Sequence, residues 1–264
     1  MKNLAIYIPK LAWTLSASRS VSFFVLLGKL YYFVFSRKIF TRLKSSPFEF
    51  CGVFAGLPIC YQLRYPMDIA SLVEVYVFKE YEWSLDFDPK VIIDLGAHFG
   101  DTALYYRNKY PNAHIIAVEP EPKNFERLLE NVQGVRGVDI VQAAVGGDDG
   151  MVTLYVGESS LGHSVQVRGE GVGLDVPQKS LQTLLSEYGY KDADLVKFDI
   201  EGAEFSVFNT EDSTRFARAF IGELHFDLDN STNVYDFVDL FSGFKCEVNE
   251  LGGRGRFLFR AKTS

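Results

Sequence analysis

Short apolar runs alternate with amphipathic stretches over most of this 264-residue chain. Apolar runs rich in Val and Ile predict buried strands, whereas apolar residues three and four positions apart predict helices. The first core strands are predicted at 91–95 and 114–120, and each is followed by a predicted helix, at 101–109 and 122–132. This regular alternation predicts an α/β fold with a doubly wound, mainly parallel sheet.

The same pattern predicts about seven strands in all, with the last pair antiparallel. The other predicted elements are a hairpin within 53–64, a helix from its cap Asp68 to about Tyr81, a third strand at 138–145 that forms a hairpin with 151–156, helices at 180–188 and 234–241, and strands that start at Asp194, at 219–225, around Cys246 and at 257–259. Residues 157–175 contain five glycines and predict a loop at the carboxyl edge of the sheet. This loop either covers an acceptor pocket or is a surface excursion.

The first 48 residues differ from the rest, because their aromatic and aliphatic residues are interrupted by single positive charges. Their most apolar run, 21–35, is short for a membrane-spanning helix and has Lys29 in its middle. Two interpretations stay open: a basic, aromatic anchor that lies on a membrane surface, or helices packed on the main domain. We therefore divide the chain into an N-terminal helical segment, 1–48, and an α/β domain, 49–264.

Charge and cysteine usage narrow the choice of partners and compartment. Residues 1–50 carry eight Lys or Arg residues and one acid, whereas the whole chain has a net charge of −7. The acidic main body disfavours nucleic acid as a partner. Cys51, Cys60 and Cys246 form no C-x-x-C pair, so we expect reduced, buried thiols in a reducing compartment and a cytoplasmic protein. Peripheral membrane contact through residues 1–48 follows only if the anchor interpretation holds.

The segment 91–102 carries the first candidate binding site. An apolar strand leads to Asp94 and then to Gly96 and Gly100, and a helix starts directly afterwards. Small ligands bind at such turns in doubly wound folds. His98 stands where a dinucleotide fingerprint needs its middle glycine, which argues against NAD and FAD, and no Walker motif is present. A nucleoside without phosphates, such as S-adenosylmethionine, fits better.

Glu119 closes the second core strand, 23 residues after Gly96. An acid at about this offset binds the ribose hydroxyls in nucleotide-binding βαβ units. The alternative is that Glu119 only caps the following helix.

A second group of chemically active residues surrounds the strand that starts at Asp194. Lys197 and Asp199 share one face of this strand, and Glu201 and Glu204 follow at a helix start. His225 ends the next strand and is a candidate general base, with a structural role as the alternative. Asp199, Glu201 and Glu223 could also bind a divalent metal, but the sequence gives no geometry for them, and we predict no metal site.

Together these motifs resemble the FkbM-type family of S-adenosylmethionine-dependent methyltransferases over about 53–226. The linked motifs are Asp94-Leu95-Gly96-Ala97-x-x-Gly100, Ala117-Val118-Glu119-Pro120, Ala143-Ala144-Val145, Lys197-x-Asp199-x-Glu201-Gly202-x-Glu204 and Glu223-Leu224-His225. The resemblance implies a Rossmann-like seven-stranded methyltransferase fold and methyl transfer to a hydroxyl. Family members usually carry Asn where this chain has His98. The implied cofactor-binding residues are Asp94, Gly96, Ala97, His98, Gly100, Glu119, Ala144 and Asp199.

From these observations we predict an S-adenosylmethionine-dependent O-methyltransferase that acts on a small-molecule or glycan hydroxyl, such as that of a sugar, glycolipid or polyketide. The predicted catalytic residues are His225, Asp199 and Glu201, because a hydroxyl must lose its proton as it attacks the methyl group. Two alternatives stay open: an inactive methyltransferase-like module attached to a membrane surface, and a nucleotide-cofactor oxidoreductase. The sequence does not indicate the oligomeric state.

Overall fold

The computed structural model describes residues 6–16, 21–39, 47–156, 172–210, 213–226, 233–251 and 255–263. Its centre is one mixed sheet of seven strands. In chain order they are β3 (Val91–Leu95), β4 (His114–Val118), β5 (Val138–Val141), β9 (Ala193–Phe198), β10 (Ala217–His225), β11 (Phe244–Glu250) and β12 (Arg256–Thr263). Their order across the sheet is β11-β12-β10-β9-β3-β4-β5.

The strand order changes direction between β3 and β9. From β3 the chain moves outward through β4 and β5, then returns to the other side of β3 with β9 and β10, and these five strands are parallel. The last pair is antiparallel, with β12 between β10 and β11. The predicted doubly wound, Rossmann-like sheet is confirmed, and its switch point lies between β3 and β9, where such folds bind ligands.

Helices cover both faces of the sheet. They are α3 (Pro66–Val73), α4 (Asp101–Lys109), α5 (Pro122–Val132), α6 (Leu181–Glu187), α7 (Glu204–Phe208) and α8 (Val234–Asp239). Successive strand residues point to opposite faces, so Ile92 belongs to one buried cluster and Ile93 to the other. Because the strands are covered on both sides, they read in the sequence as continuous apolar runs.

The predicted hairpin before the core consists of β1 (Phe48–Phe54) and β2 (Leu57–Leu63). Its register places Cys51 opposite Cys60, and the two residues form a disulfide. The prediction of reduced thiols is therefore wrong for this pair, and Cys246 alone keeps a free thiol. The C-x-x-C spacing indicates only pairs that are close in sequence, whereas strand register brings these two side chains together.

The N-terminal segment contains α1 (Ile8–Thr14) and α2 (Val21–Ile39). One face of each helix is buried in the core that also contains the hairpin; Leu11, Leu15, Leu30 and Phe33 are fully buried. Among the described residues no helix is long and apolar enough to cross a membrane.

Three predicted elements differ from the structure. The third strand is split: β5 stays in the main sheet, while β6 (Ala144–Val145) pairs with β8 (Val172–Lys179) in a small sheet with β7 (Gly150–Val156). Strand β7 therefore pairs with β8 and not with the third strand, because an apolar pattern does not specify the pairing partner. The end of the predicted loop, 172–175, belongs to β8, and 157–171 lie outside the described residues.

The helix predicted from Asp68 to Tyr81 also differs. Tyr65 occupies the cap position, and Asp68 is the third residue of α3, where its carboxylate accepts the backbone N–H groups of Arg64 and Tyr65. The α-helix ends at Val73 and continues as a π-helical turn, Glu74–Phe78. Such turns redirect side chains within a helix.

Candidate active site

The site is built on the tight turn after β3. Gly96 has a φ of 75°, and a Cβ at this position would overlap the carbonyl oxygen of Asp199. The backbone N–H of Asp199 donates to Leu95 O at 3.1 Å, which fixes the end of β9 against the turn. Glycine at 96 is therefore required on two grounds, its left-handed backbone and the close approach of β9.

Lys197 stabilises this turn from the buried interior. Its ammonium lies 3.0 Å from Asp94 Oδ1, 2.9 Å from Gly96 O and 3.3 Å from Leu95 O, and it is buried. Burial alone would lower the pKa of Lys197, but nearby carboxylates, Asp94 first, outweigh it and raise the pKa. The sequence placed Lys197 beside Asp199 without giving it a role in the site.

Asp94 helps to hold the same turn with its carboxylate. Besides Lys197, its carboxylate accepts the Thr102 hydroxyl at 2.6 Å, and its side chain is completely buried. Asp94 does not line the cleft described below. The structure therefore places this predicted cofactor-binding residue beneath the turn, where it positions the backbone.

Glu119, at the end of β4, faces the turn. Its Oε2 accepts the backbone N–H of His98 at 2.9 Å, and its Oε1 accepts that of Glu121 at 3.0 Å. Burial raises the pKa of Glu119 to about 8, although both backbone donors act to lower it. Each carboxylate oxygen can accept more than one hydrogen bond, so Glu119 can also accept from a ligand.

His98 and Gly100 shape the rest of the turn. His98 has a φ of 50°, in the left-handed region where Asn is enriched among non-glycine residues. This backbone conformation suits the Asn that the resemblance to the FkbM-type family implies at this position. Gly100, with a φ of 92°, precedes α4, and Ala97 is fully buried.

A cleft of about 960 Å³, including its open mouth, lies above these strand ends. Six of the predicted site residues line it: Gly96, His98, Glu119, Ala144, Asp199 and Glu201. The other four lie outside its wall: Asp94, Ala97, Gly100 and His225. Its remaining wall includes Ser71, Glu74 and Tyr81, from α3 and the segment after it, together with Asp101 and Asn124.

The cleft is strongly acidic. Burial raises the pKa of Glu74 to about 9 and that of Asp101 to about 6. Neither residue is a predicted site residue. In the sequence Asp101 indicates only a helix start, and Glu74 reaches the cleft from the π-helical turn, which the periodicity does not predict. Burial likewise raises the pKa of Glu201 to about 7, and that of Glu223, which lies outside the lining, to about 8.

His225 does not line the cleft; it is buried next to Asp199 and Glu201, which do. Its Nδ1 is 2.9 Å from Glu204 Oε1, and its Nε2 faces Asp199, Glu223 and Glu201 at 3.6, 3.8 and 3.9 Å. Burial acts to lower the pKa of His225, but Glu204 and the other carboxylates raise it to about 10. A group that stays protonated at neutral pH cannot accept a proton, so this arrangement does not favour the predicted general-base role. Asp199 and Glu201 face the cleft directly.

The parallel core with its antiparallel last strands, and an acidic cleft at the switch point, define a class I, Rossmann-like methyltransferase fold. Residues 94–246, more than half of the chain, match the family model for the methyltransferase FkbM domain. The chain belongs to the FkbM methyltransferase family. This confirms the family that the sequence motifs predicted.

Two curated relatives are similar to this chain. Methyltransferase 1 of Beauveria bassiana (strain ARSEF 2860) is 29% identical over 157 residues, which cover 51% of this chain and 63% of that protein. Methyltransferase sdnD of Sordaria araneosa is 31% identical over 150 residues, which cover 44% of this chain and 58% of that protein. The chain thus spans about three fifths of the length of these relatives.

Solved structures with a similar arrangement are also methyltransferases or related proteins. Precorrin-6y C5,15-methyltransferase of Geobacter metallireducens GS-15 has 16% identity and a TM-score of 0.44, with 72% of this chain and 87% of that chain covered. Fibrillarin of Aeropyrum pernix, in complex with natively bound S-adenosyl-L-methionine, has 14% identity and a TM-score of 0.43, with 70% and 71% covered.

Proposed function

We propose that this protein transfers the methyl group of S-adenosylmethionine to a hydroxyl group of a sugar, glycolipid or polyketide-like acceptor. The observation that carries the proposal is the position of Glu119. Its buried carboxylate lines the cleft beside Gly96 and is held by the backbone of the turn. A carboxylate in this place can accept hydrogen bonds from both hydroxyls of a ribose.

The charge of the cleft supports a cationic cofactor. The carboxyl groups of Glu74, Asp101, Glu119, Asp199 and Glu201 line it, whereas Lys197, buried beneath the turn, and His98 are the basic residues among the described residues of its lining. A sulfonium in the cleft favours the ionised form of these carboxyl groups, including Glu74 and Glu119, whose raised pKa values keep them protonated in the free protein. The resulting field stabilises S-adenosylmethionine until methyl transfer removes its charge. The same field disfavours the pyrophosphate of NAD, so the oxidoreductase alternative loses support.

Methyl transfer from a sulfonium is an in-line displacement in which the leaving group departs neutral. Most of the rate enhancement comes from alignment of the two reactants, and a hydroxyl acceptor must also lose its proton. In this proposal Asp199 and Glu201, which line the cleft, orient the hydroxyl and accept its proton. An anionic acceptor such as nucleic acid would be repelled by the same carboxylates.

Calorimetric titration of S-adenosylmethionine into the wild type and Glu119→Ala tests the cofactor site. We expect binding by the wild type and a loss of at least tenfold in Glu119→Ala, with Glu126→Ala, an exposed acid on α5, as the matched control. Equal affinity in all three proteins would contradict the ribose role. Binding of NADH in place of S-adenosylmethionine would favour the oxidoreductase. Mass spectrometry of hydroxyl acceptors then identifies the methylated product.

We also propose that α2 attaches the protein to an anionic membrane surface. While its inner face is buried, its outer face carries Phe24, Tyr32 and Phe35, each at least 60% exposed. These residues follow one another at helical spacing, with Lys29 exposed beside them. Aromatic side chains with neighbouring positive charges suit the interface of an anionic lipid bilayer.

Vesicle flotation tests this attachment. We expect the wild type to float with vesicles of phosphatidylcholine and phosphatidylserine, less so at high salt, and Phe24→Ser with Phe35→Ser to reduce flotation strongly. Tyr235→Ser removes an equally exposed aromatic residue from α8 and serves as control. Surface substitutions are preferable to deleting residues 1–48, because Leu15 and Leu30 belong to the core. Flotation without methyl transfer to any acceptor would favour the inactive module.

A further inference from the structure

We propose that Asp199, Glu201 and His225 bind a divalent cation beside the cofactor cleft, with Glu223 within reach as a fourth ligand. One ligand atom from each of the first three residues lies within 4.8 Å of the other two. The site deepens the proposed function, since it adds a metal ion to the place where the acceptor hydroxyl would react.

The unsatisfied nitrogen of His225 is the first observation in favour. His225 is 3% exposed, and its Nε2 has no hydrogen-bond partner although three carboxylates surround it. The distances from Nε2 to Asp199, Glu223 and Glu201 are 3.6, 3.8 and 3.9 Å, beyond hydrogen-bond range. Two ligands that both lie about 2.1 Å from one ion are about 3.0 to 4.2 Å apart, depending on the angle. The three separations from Nε2 fall in this range.

Glu204 provides the second observation. It is buried, and its Oε1 lies 2.9 Å from Nδ1 of His225. A histidine that binds a metal through one ring nitrogen almost always donates its other N–H to a carboxylate or carbonyl, which fixes the tautomer and the ring orientation. With Nδ1–H donated to Glu204, Nε2 points at Asp199, Glu201 and Glu223, and a bound cation would replace the proton that Nε2 carries in the metal-free protein.

The donor set indicates the class of ion. Carboxylate oxygens outnumber the single imidazole, and such sets suit Mn²⁺ or Mg²⁺ better than the sulfur- and nitrogen-rich sites of zinc. Asp199 and Glu201 also line the cleft, so an ion held by them faces the cofactor site. There it would bind the acceptor oxygen, lower the pKa of the hydroxyl and favour loss of its proton to solvent or a neighbouring carboxylate.

Binding of Mn²⁺ to the free protein, followed by electron paramagnetic resonance, tests the site without cofactor or acceptor. We expect one Mn²⁺ per chain in the wild type, displaced by excess Mg²⁺, and loss of binding in Asp199→Asn and Glu201→Gln. Glu204→Gln, which leaves all ligands in place, should weaken binding about 10- to 100-fold. Glu247→Gln, an exposed acid on β11, should bind as the wild type does. Circular dichroism establishes that each variant is folded.

The wild type failing to bind Mn²⁺ while it binds S-adenosylmethionine would overturn the metal site and leave the proposed function standing. Unchanged Mn²⁺ binding in folded Asp199→Asn and Glu201→Gln would overturn it as well. Binding of Zn²⁺ alone would overturn the assignment to an oxygen-preferring ion. If Mn²⁺ binds but S-adenosylmethionine does not, the site holds and the proposed function fails.

Discussion

The ammonium of Lys197 lies 2.9 Å from the carbonyl oxygen of Gly96, at the turn on which the cleft is built. Its charge is balanced by Asp94, 3.0 Å away, and both side chains are buried. A strand residue thus fixes the backbone of a neighbouring strand's turn from inside the protein.

Lys197→Met should lower the free energy of unfolding by about 3–5 kcal/mol, because it leaves the Asp94 carboxylate buried without its partner. Urea unfolding followed by circular dichroism measures this change. Lys179→Met breaks a partly exposed pair with Glu187 and should cost less than about 1 kcal/mol. Equal costs for the two variants would show that Lys197 is not a support of the turn.

Gly96→Ala should destabilise the protein more than an alanine at another left-handed glycine. Gly189 has a φ of 78° and open space around it, so Gly189→Ala measures the backbone cost alone, about 1–2 kcal/mol. At Gly96 the new Cβ also overlaps Asp199 O. Thermal unfolding of both variants compares the costs. A smaller effect at Gly96 would mean that β9 moves away freely.

The pKa of Glu119 predicts opposite pH effects on cofactor binding and on stability. The ionised carboxylate accepts ribose hydrogen bonds, so affinity for S-adenosylmethionine should rise as the pH increases through about 8. In the free protein the raised pKa means that the folded state holds a proton that the unfolded chain releases near pH 4.5. This contribution to stability is therefore lost as the pH rises from about 4.5 to 8.

Calorimetry and urea unfolding between pH 5 and about 9 measure the two trends, and Glu119→Gln is the control, since it cannot ionise. Both trends should weaken in this variant. If they persist unchanged, other groups, such as the cofactor's own amine, cause them.

The backbone of His98 predicts which substitutions the turn accepts. Asn adopts the left-handed region readily, so His98→Asn should change stability by less than about 0.5 kcal/mol and keep cofactor affinity. His98→Val should cost about 1–2 kcal/mol and weaken binding, because a β-branched residue disfavours this conformation and shifts the N–H that Glu119 accepts. Thermal unfolding and calorimetry check both.

Lys79→Val provides the comparison, since Lys79 has a φ of 59° outside the cleft wall. It should lower stability to a similar degree without changing affinity for the cofactor. If Lys79→Val also loses affinity for the cofactor, the weaker binding of His98→Val does not come from a change in the turn at His98.

Much of the architecture was predictable from the sequence, because it depends on local periodicity. Strand β3 and helices α4 and α5 have the predicted bounds, because each is marked by a local signal. These signals are the run of Val and Ile in β3, Gly100 directly before α4 and Pro122 in the first turn of α5. The glycine turn and Glu119 were recognisable for the same reason, as motifs of fixed spacing.

Pairing and side-chain environment depended on the tertiary structure. Apolar periodicity did not separate β6 from β5, and cysteine spacing did not show that strand register joins Cys51 to Cys60. Likewise, Lys197 and Asp94 appeared as two motif residues, and only the register of β3 beside β9 makes them a buried pair.

The sequence by itself determined the order of the core strands and helices along the chain and the residues that reach the carboxyl edge of the sheet, because both follow from patterns a few residues long. The tertiary structure alone decided which of those residues face the cleft and which lie behind it. His225 illustrates the difference: its position at a strand end was evident, but its burial among four carboxylates comes from segments distant in the chain. The charge state of an imidazole depends on those neighbours, which no local pattern encodes.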